Sequence, residues 1–204
     1  VLKFFPTGNV PQVPSYDMPA YAGDERAIFW GYSDDENSPV TLENTKISDF
    51  KNGYGVCKFL NFKTDGSSAY NPSFADADCF FMRLAEAYLI LAEADARLNG
   101  NKTSTVGTKA INDIRSRANA STRAESDSYS LNDICDEWAR EFYFEGLRRT
   151  TLIRFGRFGG SNNYNWSWKG NDLAGKNFDS HLNIFPIPVS ELNANSNLQQ
   201  NPGY

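Results

Sequence analysis

What most constrains this chain is a change of rhythm at about residue 80. From there to about 157 the apolar residues recur at the three-to-four spacing of helices, and on either side they do not. Phe81, Leu84, Ala85, Tyr88, Leu89 and Ala92 predict one face of a first helix over about 80–98, which Asn99 and Gly100 would end, since glycine tolerates the left-handed backbone of a C-terminal cap. Val106, Ala110, Ile111, Ile114 and Ala118 predict a second helix from near Ser104 to near Asn119. A third begins after Ser130, where Ser-Leu-Asn-Asp offers a near capping box. Leu131, Ile134, Cys135, Trp138, Ala139, Phe142 and Tyr143 form its apolar stripe, and Asp136, Glu137, Arg140, Glu141 and Glu145 its other face. Gly146 should break or kink this helix, and a helix can resume between Leu147 and Phe158. The first two helices are close enough in sequence to pair as an antiparallel hairpin, the unit of a tetratricopeptide-like repeat.

Residues 1–79 read as irregular. Pro6, Pro11, Pro14, Pro19, Pro39 and Pro72 interrupt any long helix. The runs Ala27 to Trp30 and Val56 to Leu60 suit short strands or extended segments. After residue 158 the chain is again loop-like, rich in Gly, Asn, Ser and aromatics. An apolar run, Leu182 to Pro188, leads into an Asn/Gln-rich tail over 191–204 that should wrap the surface. The expected division is thus a loop-rich segment, 1–79, and a helical domain with a loop-rich tail, 80–204.

Charge and rare residues exclude several functions. A net charge of −5 argues against nucleic acid as a partner, because binding it needs a basic face that displaces counterions. His181 is the only histidine, which removes HExxH sites and most His-paired chemistry. Cys57, Cys79 and Cys135 are odd in number and far apart, so they read as buried thiols rather than a disulfide framework or a metal site. The most apolar stretch, 80–98, is interrupted by Arg83, Glu86 and Glu93 and is not a membrane span. No cofactor or metal is expected. Asp34, Asp35, Glu36 and Asn37 lack the ordered spacing of a calcium loop and read as a solvated acidic turn.

Four segments, in this order and spacing, resemble the SusD/RagB family. Phe81 to Ala94 (FMRLAEAYLILAEA) is similar to the family's helix RLAEAYL–AEA. Ile111 to Ala118 (INDIRSRA) is similar to its N–R–RA helix. Glu137 to Arg149 (EWAREFYFEGLRR) is similar to E–REL–FEG–R. The ending, Phe185 to Pro188 with Asn195 to Tyr204, matches the family's C-terminus. Asp24, Glu25 and Arg26 add a weaker match upstream. The resemblance covers about 80–204 and implies an all-α fold of tetratricopeptide-like helix pairs with long irregular loops. It also implies a glycan-binding, non-enzymatic lipoprotein of the Bacteroidetes outer-membrane surface. Such a protein delivers oligosaccharide or polysaccharide, starch-like glycans among them, to a SusC-type TonB-dependent transporter, and it is held to the membrane only through an N-terminal lipid anchor that this chain lacks. Two positions depart from the family pattern. Thr151 stands where an Asp that could pair with nearby arginines is frequent, and Ser196 stands where Pro is usual.

Two rival functions are a helical-repeat module that docks a protein without a glycan site of its own, and a glycoside hydrolase. The hydrolase needs two facing carboxylates, one with a raised pKa. Glu86 with Glu93, and Glu137 with Glu141 and Glu145, share helix faces, but the many arginines nearby predict interhelical salt bridges instead. For glycan contact the sharper candidates are Tyr164, Trp166 and Trp168, alternating with Asn165 and Ser167. In an extended chain their three rings would project from one face about 6.6 Å apart, ready to stack on sugar rings. The alternative is that they fold back over the helices. Trp30 and Tyr32 form a second pair of this kind, whereas Trp138 falls on a helical stripe and belongs to the core.

Overall fold

The structure is a computed structural model that describes residues 3–5, 17–31, 46, 48, 53–63, 65–71, 73–75, 78 and 80–204. Tyr32, Cys79 and the Asp34 to Asn37 run lie outside the described residues. The chain divides into two compact units, 1–146 and 147–204.

The first unit is built on three helices: α2 (Leu84–Leu98), α3 (Thr105–Arg117) and α4 (Leu131–Phe142), with α2 packed against both others. A short helix, α1 (Met18–Ala22), and a two-stranded antiparallel sheet precede them. In that sheet Phe29 of β1 (Phe29–Trp30) faces Val56 of β2 (Gly55–Val56). The fold is therefore all-α with a minimal sheet. Leu89, Ala92 and Ala96 of α2, Ala110, Ile111 and Ile114 of α3, and Ile134, Cys135, Trp138 and Phe142 of α4 are buried. Removing a side chain the size of Leu89 from water is worth about 1.5–3 kcal/mol. A second cluster packs Phe5, Met18, Ala27 and Phe29, with Tyr143 reaching in from the end of α4.

Local signals fix the helix ends. Ser130 accepts a hydrogen bond from the Asp133 backbone amide, and Asp133 accepts one from the Ser130 amide, a complete capping box. Ser104 caps α3, and Asp95 of α2 accepts from the Ser104 amide and hydroxyl at 2.7 Å each, so the link between the two helices is closed by a side chain of the first. The first helix starts at Leu84 rather than near residue 80. Arg83 is extended (φ −142°, ψ 156°), and its guanidinium is drawn to Glu141 and Glu145, so Phe81 and Leu84, expected on the buried face, are exposed. Val106, expected in the α3 stripe, is exposed as well. Cys135 is buried and Cys57 half-buried, and neither is in a disulfide.

The second unit contains α5 (Arg148–Arg154), two short 3-10 turns and α6 (Val189–Ala194). Much of its packing is between rings and cations, several of them partly open to water. Arg149 lies 3.8 Å from the Phe185 ring centroid and 5.0 Å from that of Phe158, Phe158 packs on Phe178 at 5.0 Å, and Phe178 meets Trp166 at 6.4 Å. Thr151 is buried and hydrogen-bonds through its hydroxyl to the Leu147 carbonyl of its own helix. The tail is tied down by polar groups: the Gln200 amide exchanges two hydrogen bonds with the Ile187 backbone, and the Tyr204 hydroxyl donates to the Ile184 carbonyl. No helix among the described residues is long and apolar enough to cross a membrane.

Candidate functional site

The loop 162–176 presents the aromatic residues singled out from sequence. Asn162 starts it by accepting the Tyr164 amide at 2.9 Å. Tyr164 and Trp166 stand edge to face with centroids 6.4 Å apart, and Phe178 meets Trp166 edge-on from the other side. After Trp166 the chain turns. The Lys169 amide donates to the Trp166 carbonyl, and Trp168 takes a left-handed backbone (φ 69°), which ends the alternation that would align a third ring. Trp166 is 40% exposed, Tyr164 and Trp168 are half-buried, and Asn165 is exposed. Gly175 closes the loop at φ +75°, where any Cβ would collide with the Trp166 carbonyl oxygen.

Lys169 holds this arrangement together. Its side chain is 1% exposed, and its ammonium donates to the Tyr164 carbonyl at 2.8 Å and lies 4.9 Å from the Trp166 ring and 5.2 Å from the Phe178 ring. Burial pushes its pKa down. The π faces and one carbonyl stand in for the carboxylate that a buried ammonium ordinarily requires. Tyr164 is gripped from the helix side, where the Arg148 guanidinium donates to its hydroxyl at 2.8 Å and Arg157 lies 4.9 Å from its ring. Lys169 and Phe178 escaped the sequence reading. Lys169 adjoins the aromatic run, but a lysine in a polar loop reads as solvated, and Phe178 is brought to Trp166 only by the turn at Gly175.

Trp30, the other described candidate, is half-buried on β1 opposite Gly55, in the first unit, and Tyr32 lies outside the described residues. Trp138 is 4% exposed and stacks obliquely on Phe142 at 5.2 Å.

Of the acidic residues considered for hydrolysis, Glu137, Glu141 and Glu145 are sealed into an ionic network in the first unit. Glu141 accepts from Arg83 (2.6 Å), Arg117 (2.7 Å) and Arg26 (3.1 Å). Glu137 is paired with Arg26, Arg115 and Arg140 at 2.7–2.8 Å. Glu145 is paired with Arg83 and Lys58, and Glu93 takes Arg97 on its own helix. Burial alone would push the Glu137 and Glu141 carboxyls up, but the surrounding guanidiniums outweigh it and hold both below their ordinary value. Neither can serve as a proton donor near neutral pH. Tyr143, whose hydroxyl donates to the Arg26 carbonyl at 2.7 Å, is pushed up to about 12 by burial and stays protonated.

Residues 17–204 match the model of the SusD family. The chain is 40% identical over 188 residues to the starch-binding protein SusD of Bacteroides thetaiotaomicron, an alignment that covers 92% of this chain and 32% of that protein. Among solved structures it resembles a putative sugar binding protein from Bacteroides vulgatus, with a TM-score of 0.50, 30% identity, and 68% of this chain and 31% of that one covered. It also resembles surface glycan-binding protein A from Bacteroides uniformis, with a TM-score of 0.58, 23% identity, and 88% and 38% covered, a likeness of fold. The chain thus spans about a third of the length of these relatives.

Proposed function

This chain belongs to the SusD family, and on that premise we propose that it is part of a glycan-binding protein of the outer-membrane surface, one that captures saccharide without cleaving it and passes it to a SusC-type TonB-dependent transporter. The observation that carries the reading is Trp166. A large ring 40% open to water is anchored on its inner side by a buried ammonium and braced by Tyr164 and Phe178. A ring held in place before the ligand arrives loses little conformational freedom on binding, and exposed aromatics of this kind mark contact sites. Asn163 and Asn165, exposed on the same loop, offer amides to sugar hydroxyls. Trp168 contributes from the turn that follows, and Trp30 is a separate candidate in the first unit, while Tyr32 lies outside the described residues. The relatives named for starch and for sugar support a saccharide as ligand.

The non-catalytic part of the proposal rests on the network around Glu137 and Glu141, whose carboxylates are held ionised by arginines and are buried away from any substrate. The test is affinity electrophoresis of the purified chain through gels containing starch, plant and host glycans, followed by a reducing-end assay on the glycan that retards it. Retardation without release of reducing ends is expected. Reducing ends that accumulate with time and vanish in Glu141→Gln would contradict the non-enzymatic reading. Binding to the transporter with no glycan affinity at all would favour a protein-docking module.

A further inference from the structure

The first unit has a second feature suited to a ligand, and it is independent of the Trp166 loop. Where the start of α2 meets the ends of α3 and α4, a cleft of about 420 Å³ opens, within the size range of small-molecule sites. Its floor is the ionic network, and there each nitrogen of the Arg83 and Lys58 head groups is engaged. Arg83 gives its Nε to Glu145, Nη1 to Glu141 and Nη2 to the Glu141 carbonyl and Glu145. Lys58 gives its ammonium to the Glu141 and Tyr143 carbonyls and to Glu145. Arg117 differs. It spends only Nη2, on the two oxygens of Glu141, and its side chain is 57% exposed. Its Nε and Nη1 meet no acceptor among the described residues. The walls carry Arg26, Lys58, Arg83, Arg117 and Arg140 with Glu25, Glu141 and Glu145, and Arg26 and Arg140 are paired in turn with Asp24 and Glu137, so these charges are largely compensated and what the cleft leaves open is the Arg117 edge.

The mouth is aromatic. Phe59 and Phe80 are 44% and 59% exposed, with ring centroids 6.3 Å apart. Phe59 holds a left-handed backbone, φ 64°, a conformation that costs a bulky side chain energy and gains nothing from burial here. A salt-bridge network serving stability alone explains the floor. It does not explain an unspent guanidinium edge in one cleft with two exposed phenylalanines, one of them in a strained backbone.

We propose that this cleft is a binding site for a carboxylate-bearing sugar, with the carboxylate on the Nε/Nη1 edge of Arg117 and the sugar's apolar face on Phe59 and Phe80. A guanidinium edge matches a carboxylate with two parallel hydrogen bonds. A neutral sugar of the same ring shape has no charged group to place on that edge.

The experiment is calorimetric titration of the whole chain with trigalacturonate and, separately, with maltotriose, at low and high salt, with a thermal melt of each variant. Trigalacturonate should bind, more weakly at high salt, and maltotriose should not bind in this cleft. Arg117→Gln and Phe80→Ala should each weaken trigalacturonate by about tenfold, and Trp166→Ala should leave it unchanged, which separates this site from the aromatic loop. Phe59→Gly should weaken binding while the melting temperature holds or rises, because glycine relieves the positive φ. Phe80 is exposed, so Phe80→Ala tests the site even if Arg117→Gln fails to fold. No trigalacturonate binding by the folded wild type overturns the proposal. So does binding that survives Phe80→Ala undiminished, or equal loss on maltotriose and trigalacturonate.

Discussion

Glu141 stabilises the first unit only while it is ionised. Its side chain is buried among Arg26, Arg83 and Arg117, and removing one member of such a cluster leaves uncompensated buried charge, at a cost of about 3–5 kcal/mol. Glu141→Gln should therefore lower the urea midpoint sharply, and a variant that unfolds with the wild type would show the network to be ornamental. The sign of the pH dependence follows from the same pairing. The folded carboxyls of Glu137 and Glu141 lie below their ordinary value of 4.5, so their contribution is complete above that pH and erodes as the pH falls below it toward the lowered values. Urea midpoints measured downward from pH 5 should decline in the wild type and decline less steeply in Glu141→Gln. The tryptophans divide in the same manner. Trp138→Ala should cost about 3–5 kcal/mol through lost packing and a cavity, whereas Trp166→Ala, at a ring open to water on one side, should shift the melting temperature by a much smaller amount. An early melt for Trp166→Ala would mean that the ring serves the core.

At the scale of elements, what was legible in the sequence was what is local. The stripe Ala110, Ile111 and Ile114 and the cap at Ser130 are visible within a few residues, and α3 and α4 run where those signals place them. The start of α2 was not legible, because Arg83 leaves the helix for carboxylates some 60 residues away in sequence. The two sides of α4 were legible in kind: Trp138 and Phe142 declared themselves as core, and the nearby arginines predicted the salt bridges of Glu137 and Glu141, though not which arginine meets which carboxylate. The aromatic loop fails the extended reading at Trp168 for a comparable reason. Its path is set by Lys169 folding under Trp166 and by Gly175, neither of which carries a period. Gly175→Ala tests that account of the loop. The new Cβ meets the Trp166 carbonyl at a positive φ, so the substitution should cost about 1–3 kcal/mol and change the tryptophan fluorescence. A variant with wild-type melt and fluorescence would contradict it.

For the whole molecule, family membership was carried by helix motifs that mainly build the core and its ionic network: Arg83, Arg115, Arg117, Glu137 and Glu141 all belong to the segments that resemble SusD/RagB proteins, and all are ion-paired. Those motifs name the fold. Apart from Arg117, the candidate ligand contacts sit elsewhere, on the loop at Trp166 and at the mouth formed by Phe59 and Phe80, where long-range closure rather than spacing decides which side chains meet. A chain spanning about a third of its relatives can thus be placed in its family from its helices while its sugar is left to its loops. The most direct test of the central claim is a side-by-side retardation of wild-type chain and Trp166→Ala on the glycan panel, with a thermal melt of both. We expect at least one glycan to retard the wild type and to retard Trp166→Ala clearly less, with the two proteins melting together. A folded wild type that no glycan retards, or a variant retarded as strongly as the wild type, would contradict it.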